Sequence, residues 1–317
     1  MAAAIALSTR GRGISTPNPN VGCLVVRERH VVGRGWTQRG GRPHAEARAL
    51  EEAMERARGA TLYVTLEPCF HLSPRGPRCA DLIARAGIGR VVIALRDPDP
   101  RTDGQGAAWL RDQGIAVDMG LMAEEAAAAM AGFVLRQTLG RPHVTLKLGL
   151  SLDGRIALAS GESRWITGER ARAHAHMERA RADAILVGGG TLRADAPRLD
   201  VRLAGLDDRS PRRILLTRGA APPGWDAIAA PQDIVALDRV DHLLVEGGAA
   251  AAAAFLRADL IDRLLLYRAP IVIGAGLAGI GDIGLADLAQ AHGRWRLSDE
   301  RHLGVDRLEV YERVRSA

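Results

Sequence analysis

The 317-residue sequence predicts an α/β protein built as two layered domains. Three observations predict it. Short apolar, β-branched runs alternate with segments of helical period along the whole chain, the pattern of a sheet covered by helices. The length exceeds what one hydrophobic core comfortably fills. A long Ala-rich periodic run ends at Gly140-Arg141-Pro142, a strong stop signal, which places the boundary at 142 and gives domains 1–142 and 143–317.

In the first domain residues 1–9 read as a short helix, since the apolar stretch lacks the charged lead and cleavage site of a signal peptide. Residues 21–26 and 31–35 read as paired strands. Residues 44–58 read as a helix with Ala47, Leu50 and Met54 on its apolar face. A strand over 61–66, a short helix over 79–86 closed by Gly87, and a buried strand over 91–95 follow, then the long helix 124–139. The second domain repeats the rhythm, with strands over 144–150, 184–187, 214–216, 242–245 and 264–267. Helices fall over 169–181 and 249–257, and the segment 308–314 reads as the strand closing a sheet edge.

Composition excludes several function classes. No apolar run approaches the roughly 18 residues of a membrane span. The 43 Lys plus Arg against 37 Asp plus Glu are spread along the chain, and Lys147 is the only lysine, so the basic balance reflects arginine usage rather than a nucleic-acid stripe. Three Phe and three Tyr leave few platforms on which extruded bases could stack. Three cysteines give no disulfide framework and fit a reducing, cytoplasmic compartment, where metal binding or catalysis is their informative use.

The sharpest pattern is His44-Ala45-Glu46, then Glu67-Pro68-Cys69, then Cys79. One imidazole and two thiolates give zinc three ligands of suitable softness and leave a fourth position for water. Zinc brings that water toward ionisation at neutral pH, and a carboxylate must then carry its proton to a departing amine. Glu46, two residues beyond His44 at a helix start, suits that task as the catalytic carboxylate. Cys79 opens a helix whose dipole favours a thiolate. Cys23 reads as a buried small hydrophobe. His30, His174, His176, His242, His292 and His302 read as surface or packing residues. In the second half, glycine turns follow two buried strands, Gly188-Gly189-Gly190-Thr191 and Gly247-Gly248, and such turns let backbone approach a phosphate. Neither is the dinucleotide fingerprint of an ordinary Rossmann domain. The isolated Lys147 marks a position suited to a compact, movable ammonium, which makes it a second catalytic candidate.

The His-x-Glu plus Pro-Cys pattern is the signature of the zinc deaminases. Nine residues separate Cys69 from Cys79. That spacer, with Pro17-Asn18-Pro19-Asn20-Val21-Gly22 upstream, resembles the deaminases of riboflavin biosynthesis. Lys147-Leu148-Gly149-Leu150-Ser151-Leu152-Asp153-Gly154-Arg155 and the 160–167 segment resemble the reductase of the same pathway. The resemblance covers nearly the whole chain. It implies a cytidine-deaminase-like α/β/α sandwich followed by a dihydrofolate-reductase-like α/β domain, with Zn2+ and NADPH as cofactors. The substrate it implies is a small-molecule ribosylaminopyrimidine phosphate, with no nucleic acid or membrane partner and homo-oligomer assembly left open. His44, Cys69 and Cys79 would ligate zinc, Asn18 would hold the pyrimidine edge and His71 would lie near the substrate. Further substrate contacts are implied for Ser163, Arg179, Leu199, Arg202 and Glu246, and cofactor contacts for Gly149, Trp165, Thr191, Asp195 and Gly248. The chain departs from the family in a Cys69–Cys79 spacer one residue longer than is typical and in a shortened stretch over 218–245. The latter motivates the alternative of an active deaminase joined to an inactive or structural reductase-like domain.

Overall fold

The computed structural model describes residues 1–315 and divides into two compact units, Met1–Gly140 and a second beginning at Arg141. The first unit runs α1 (Ala2–Ser8), β1 (Gly22–Arg27), β2 (His30–Trp36), α2 (Ala45–Ala53), β3 (Thr61–Leu66), α3 (Cys79–Arg85), β4 (Arg90–Leu95), α4 (Gln105–Asp112), β5 (Ala116–Met119), α5 (Ala123–Ala129) and α6 (Ala131–Leu139). Its sheet has the order β2-β1-β3-β4-β5. The β1 strand is antiparallel to both β2 and β3, whereas β3, β4 and β5 run parallel. Helices α1 and α5 pack together over β3, while α2 lies over β1 and β2 and leads through α3 to α4, which makes an α/β/α sandwich. Parallel strands buried on both faces need unbroken apolar sequence, and Val91, Val92, Ile93 and Ala94 of β4 supply it.

Three expectations for this unit change. The helix placed over 44–58 ends at Ala53, because Met54 takes a positive φ of 51° and a tight 3-10 turn follows. Its buried face is Ala45, Ala49 and Ala53, and Met54 is 73% exposed. The reason lies opposite: a Cβ on Gly33 would sit 2.0 Å from the Ala49 carbonyl oxygen, and one on Gly35 would sit 1.9 Å from that of Ala45. Two glycines of β2 thus admit an alanine stripe at backbone contact, and larger side chains are turned away. The long helix over 124–139 is two helices, broken at Met130, whose fully buried side chain receives the Thr65 hydroxyl.

The second unit runs β6 (His143–Leu150), β7 (Arg155–Ala157), α7 (Glu169–Ala180), β8 (Ala184–Gly188), α8 (Gly189–Asp195), β9 (Arg212–Leu216), β10 (Asp226–Ile228), β11 (His242–Val245), α9 (Ala249–Arg257), β12 (Arg263–Arg268), β13 (Leu277–Ala278), β14 (Trp295–Leu303) and β15 (Asp306–Arg313). An eight-stranded sheet has the order β10-β9-β8-β11-β6-β12-β15-β14. Strands β10 through β12 pair in parallel, and β15 and β14 complete the sheet antiparallel. The segment 308–314 therefore does not close the edge. It lies inside, and β14, whose charged and mostly exposed residues hide it from a search for apolar runs, is the edge strand. Even-numbered residues of β6 (Val144, Leu146, Leu148, Leu150) enter a core with Phe255 of α9. The opposite face meets α7 through Ala171, Ala175, Leu265 and Tyr267, and there Lys147 and Gly149 emerge.

Candidate active sites

In the first unit the chemistry gathers where β3 and β4 end, the usual place for a site in a parallel sheet. Cys69 follows β3, Cys79 opens α3, and His44 is the residue before α2. His44 Nδ1 lies 3.2 Å from Cys79 Sγ and 3.6 Å from Cys69 Sγ, and all three ligand atoms lie within 4.8 Å of one another. A tetrahedral zinc with ordinary bond lengths would set N···S near about 3.6 Å and S···S near about 3.8 Å, so the donor set fits the metal in both chemistry and spacing. The Cys79 thiol hydrogen-bonds Cys69 and, with His44, draws the Cys69 thiol toward thiolate against the effect of burial. Glu46 is 3% exposed and hydrogen-bonds Cys79; burial pushes its carboxyl upward.

The mouth of this site is polar. Asn18 Nδ2 lies 3.0 Å from His44 Nε2, and Arg75 donates to Asn18 Oδ1 at 3.4 Å and to the Gly40 carbonyl. His71 Nδ1 meets the Thr102 hydroxyl at 3.4 Å. Arg75 carries no signal of its own in the sequence, where it is one arginine among many. Glu67 stands out in the sequence only as part of a motif, yet its carboxylate accepts from the amides of Asp97, Gly104 and Ala107 and so fixes the loop after β4. That loop brings Asp97 and Asp99 into the buried surroundings; burial raises the Asp97 carboxyl to about 7, with Asp99, Glu67 and Cys69 adding to it. Its signal was an Asp-Pro-Asp-Pro run directly after a buried strand.

The second unit brings Lys147, Glu246 and Arg179 together. Glu246 follows β11 and accepts a fork from Arg179, Nε at 2.7 Å and Nη2 at 2.9 Å, while Lys147 Nζ lies 3.6 Å away. Burial would raise the Glu246 carboxyl, but the two cations outweigh it and hold it at about 2. Lys147 also lies over the Tyr267 ring, 5.7 Å from its centre. Arg202 sits beside His176, and Arg179 Nη1 donates to the Asp200 carbonyl at 3.0 Å.

The glycine turns after β8 and β11 are neighbours because those strands pair, and the Gly248 amide donates to Thr191 Oγ1 at 3.0 Å. A Cβ on Gly190 would meet nothing within 4 Å and one on Gly248 would face Thr191, so the open backbone of the first turn can approach a dinucleotide's phosphates closely. Gly149 opens beside Thr167. Trp165 is 64% exposed with the Arg172 guanidinium 4.7 Å from its ring centre, and Arg164 ties the adjoining segment to the Asp195 carbonyl. Ser163 lies half-buried two residues before Trp165, and Leu199 is buried in a small cluster with Val187 and Leu215. Two of the histidines assigned to surface or packing roles make polar links: His174 Nδ1 meets the Tyr267 hydroxyl at 2.8 Å, and His176 joins Asp200 to Arg202.

Residues 1–95 match the cytidine and deoxycytidylate deaminase zinc-binding region, and residues 142–238 and 233–306 match the RibD C-terminal domain. The riboflavin biosynthesis protein RibD of Escherichia coli is 39% identical, with 96% of each chain covered. This chain belongs to the RibD family. The RibD of Aquifex aeolicus is 36% identical over 99% of this chain and 97% of its own. Among solved structures, Acinetobacter baumannii RibD superposes with a TM-score of 0.90 at 34% identity, covering 99% of this chain and 98% of that one. A Thermotoga maritima deaminase/reductase superposes at 0.89 and 32% identity, covering 99% and 97%. As a RibD protein the chain is a riboflavin-biosynthesis enzyme with a zinc-binding deaminase unit and a reductase unit of the NADPH-using type. Among the described residues no helix is long and apolar enough to cross a membrane.

Proposed function

We propose that residues 1–142 deaminate 2,5-diamino-6-(ribosylamino)pyrimidin-4-one 5′-phosphate and that residues 143–317 reduce the ribosyl group of the product to ribityl. The observation that carries the first step is a carboxylate buried against a His-Cys-Cys donor set. His44, Cys69 and Cys79 would hold zinc, which when bound supplies the Lewis acidity that ionises water near neutral pH. Glu46 takes the proton of the attacking water on its carboxylate and delivers it to the exocyclic amine, which leaves as ammonia. Asn18 and His71 border the ring, and the Arg75 guanidinium beside Asn18 suits the substrate phosphate.

In the second unit Gly149, Trp165, Thr191, Asp195 and the turn from Gly248 would hold NADPH, which supplies the hydride. Lys147 donates a proton from Nζ to the ribose oxygen as the ring opens, and Glu246 keeps that ammonium in place. Arg202 meets the phosphate, while Arg179, already forked onto Glu246, supports it, and Ser163 and Leu199 shape the wall. The intact Lys147–Glu246–Arg179 group favours an active reductase over a structural one, despite the short stretch over 218–245. All three cysteines are unpaired, which supports a reducing cytoplasmic setting.

The test is Glu46→Gln. Ammonia release from the diaminopyrimidinone phosphate should fall by about 10²–10⁴-fold with zinc content unchanged, and NADPH oxidation on the already deaminated compound should persist. Unimpaired ammonia release would remove Glu46 from the mechanism.

A further inference from the structure

We infer that His176 is a positioning residue that holds Arg202 for the terminal phosphate of the reductase substrate. The inference rests on the reading of Arg202 as a phosphate contact. His176 and Arg179 lie three residues apart on α7 and so share one face of the helix. Arg179 is already engaged, with Nε and Nη2 on Glu246 and Nη1 on the Asp200 carbonyl. Arg202, by contrast, has a side chain 53% exposed and carries a long, rotamer-rich stem whose ordering opposes binding. Something must limit that freedom if the guanidinium is to meet a phosphate as a fork.

The imidazole of His176 does so through a fixed tautomer. Its Nδ1 lies 3.1 Å from the Asp200 carbonyl oxygen, which can only accept, so Nδ1 carries the proton. The Arg202 amide N–H also points at this nitrogen, at 3.3 Å, but two guanidinium donors face Nε2 and only the tautomer protonated on Nδ1 can accept from them. The lone pair is then on Nε2, which faces Arg202 Nη2 at 3.3 Å and Nε at 3.4 Å and accepts from the guanidinium. Asp200 also pairs with the same head, Oδ1 lying 3.6 Å from Nε, while its Oδ2 holds Arg198 at 2.8 Å. Burial and the nearby charges of Arg179 and Arg202 push the His176 pKa down, against the Asp200 hydrogen bond and Glu246, which keeps Nε2 free to accept at neutral pH. The outward N–H groups of Arg202 stay available to phosphate oxygens.

The test is steady-state reduction by the full-length protein with saturating NADPH. Two substrates are compared: the deaminated ribosylaminouracil phosphate and its dephosphorylated ribosyl counterpart. His176→Leu should raise KM for the phosphate substrate about tenfold, with kcat and the KM of NADPH changing less than about twofold, as expected for lost binding remote from the reacting carbon. His176→Gln, whose Oε1 can replace the Nε2 acceptor, should recover most of that loss. With the dephosphorylated substrate the variants and the wild type should coincide. If Arg202→Ala raises KM while His176→Leu does not, the inference is overturned and the phosphate reading stands. If Arg202→Ala leaves KM unchanged, the underlying reading fails and the inference with it. An equal penalty on both substrates would make His176 a structural residue and overturn the inference.

Discussion

At the scale of single residues, Asp262 shows how partners hold a buried charge. Asp262, the residue before β12, accepts from Arg141 Nη1 and Nη2 at 2.7 and 2.9 Å and from the Val144 amide at 2.8 Å. Burial by itself would raise its carboxyl, but the Arg141 hydrogen bonds and the charges of His143 and Arg141 hold it below the usual range. A carboxyl with a depressed folded-state pKa stabilises above its unfolded value, about 4, and that contribution disappears as pH falls through the folded value. Asp262→Asn should therefore destabilise the second unit by about 3–5 kcal/mol at neutral pH, since Arg141 is left buried without its counter-charge. In urea unfolding, the gap between variant and wild type should narrow below about pH 4. A gap that stayed constant with pH would mean that charge is not what Asp262 contributes.

Residue chemistry also sets what could be read from the sequence. The grouping of His44, Cys69 and Cys79 with Glu46 beside them was legible because zinc and proton transfer would restrict residue type at short separations. Arg75, Asp97 and His176 were not, because what they meet lies far away in sequence: Arg75 reaches Asn18 from 57 positions away, and His176 reaches Arg202 from 26. Glu67 was visible as a letter in a motif, but three backbone amides reveal its task.

At the scale of elements, the deaminase site depends on how closely α2 lies against β2. The alternation of apolar residues predicted the strands, and the helical period predicted α2. Neither predicted that the buried face would be alanine, because that follows from Gly33 and Gly35 across the interface. Gly35→Ala brings a methyl to 1.9 Å from the Ala45 carbonyl oxygen, next to His44 and Glu46. Helix α2 must shift, and a displacement of about 1 Å in a catalytic group can cost about a hundredfold in rate. We expect ammonia release to fall on that scale while reduction of deaminated substrate continues. Wild-type deamination in this variant would show that the contact is not what places Glu46. The β14–β15 hairpin illustrates the converse. Its outer strand is charged and mostly exposed, so apolar periodicity is silent there and points to the chain's last strand as the sheet edge instead.

At the scale of the whole molecule, two units with separate cores each carry the groups proposed for one reaction. The chemistry orders them, since the deaminated compound released by the first site is what the second is proposed to reduce. The most direct measurement is one reaction of the zinc-loaded protein with the diaminopyrimidinone phosphate and NADPH, following ammonia and NADPH together. Ammonia should appear first, NADPH should fall after a lag, and the two should reach equal amounts. Ammonia release with constant NADPH would contradict the assignment of the second unit, and loss of neither by well-folded protein would contradict the account as a whole.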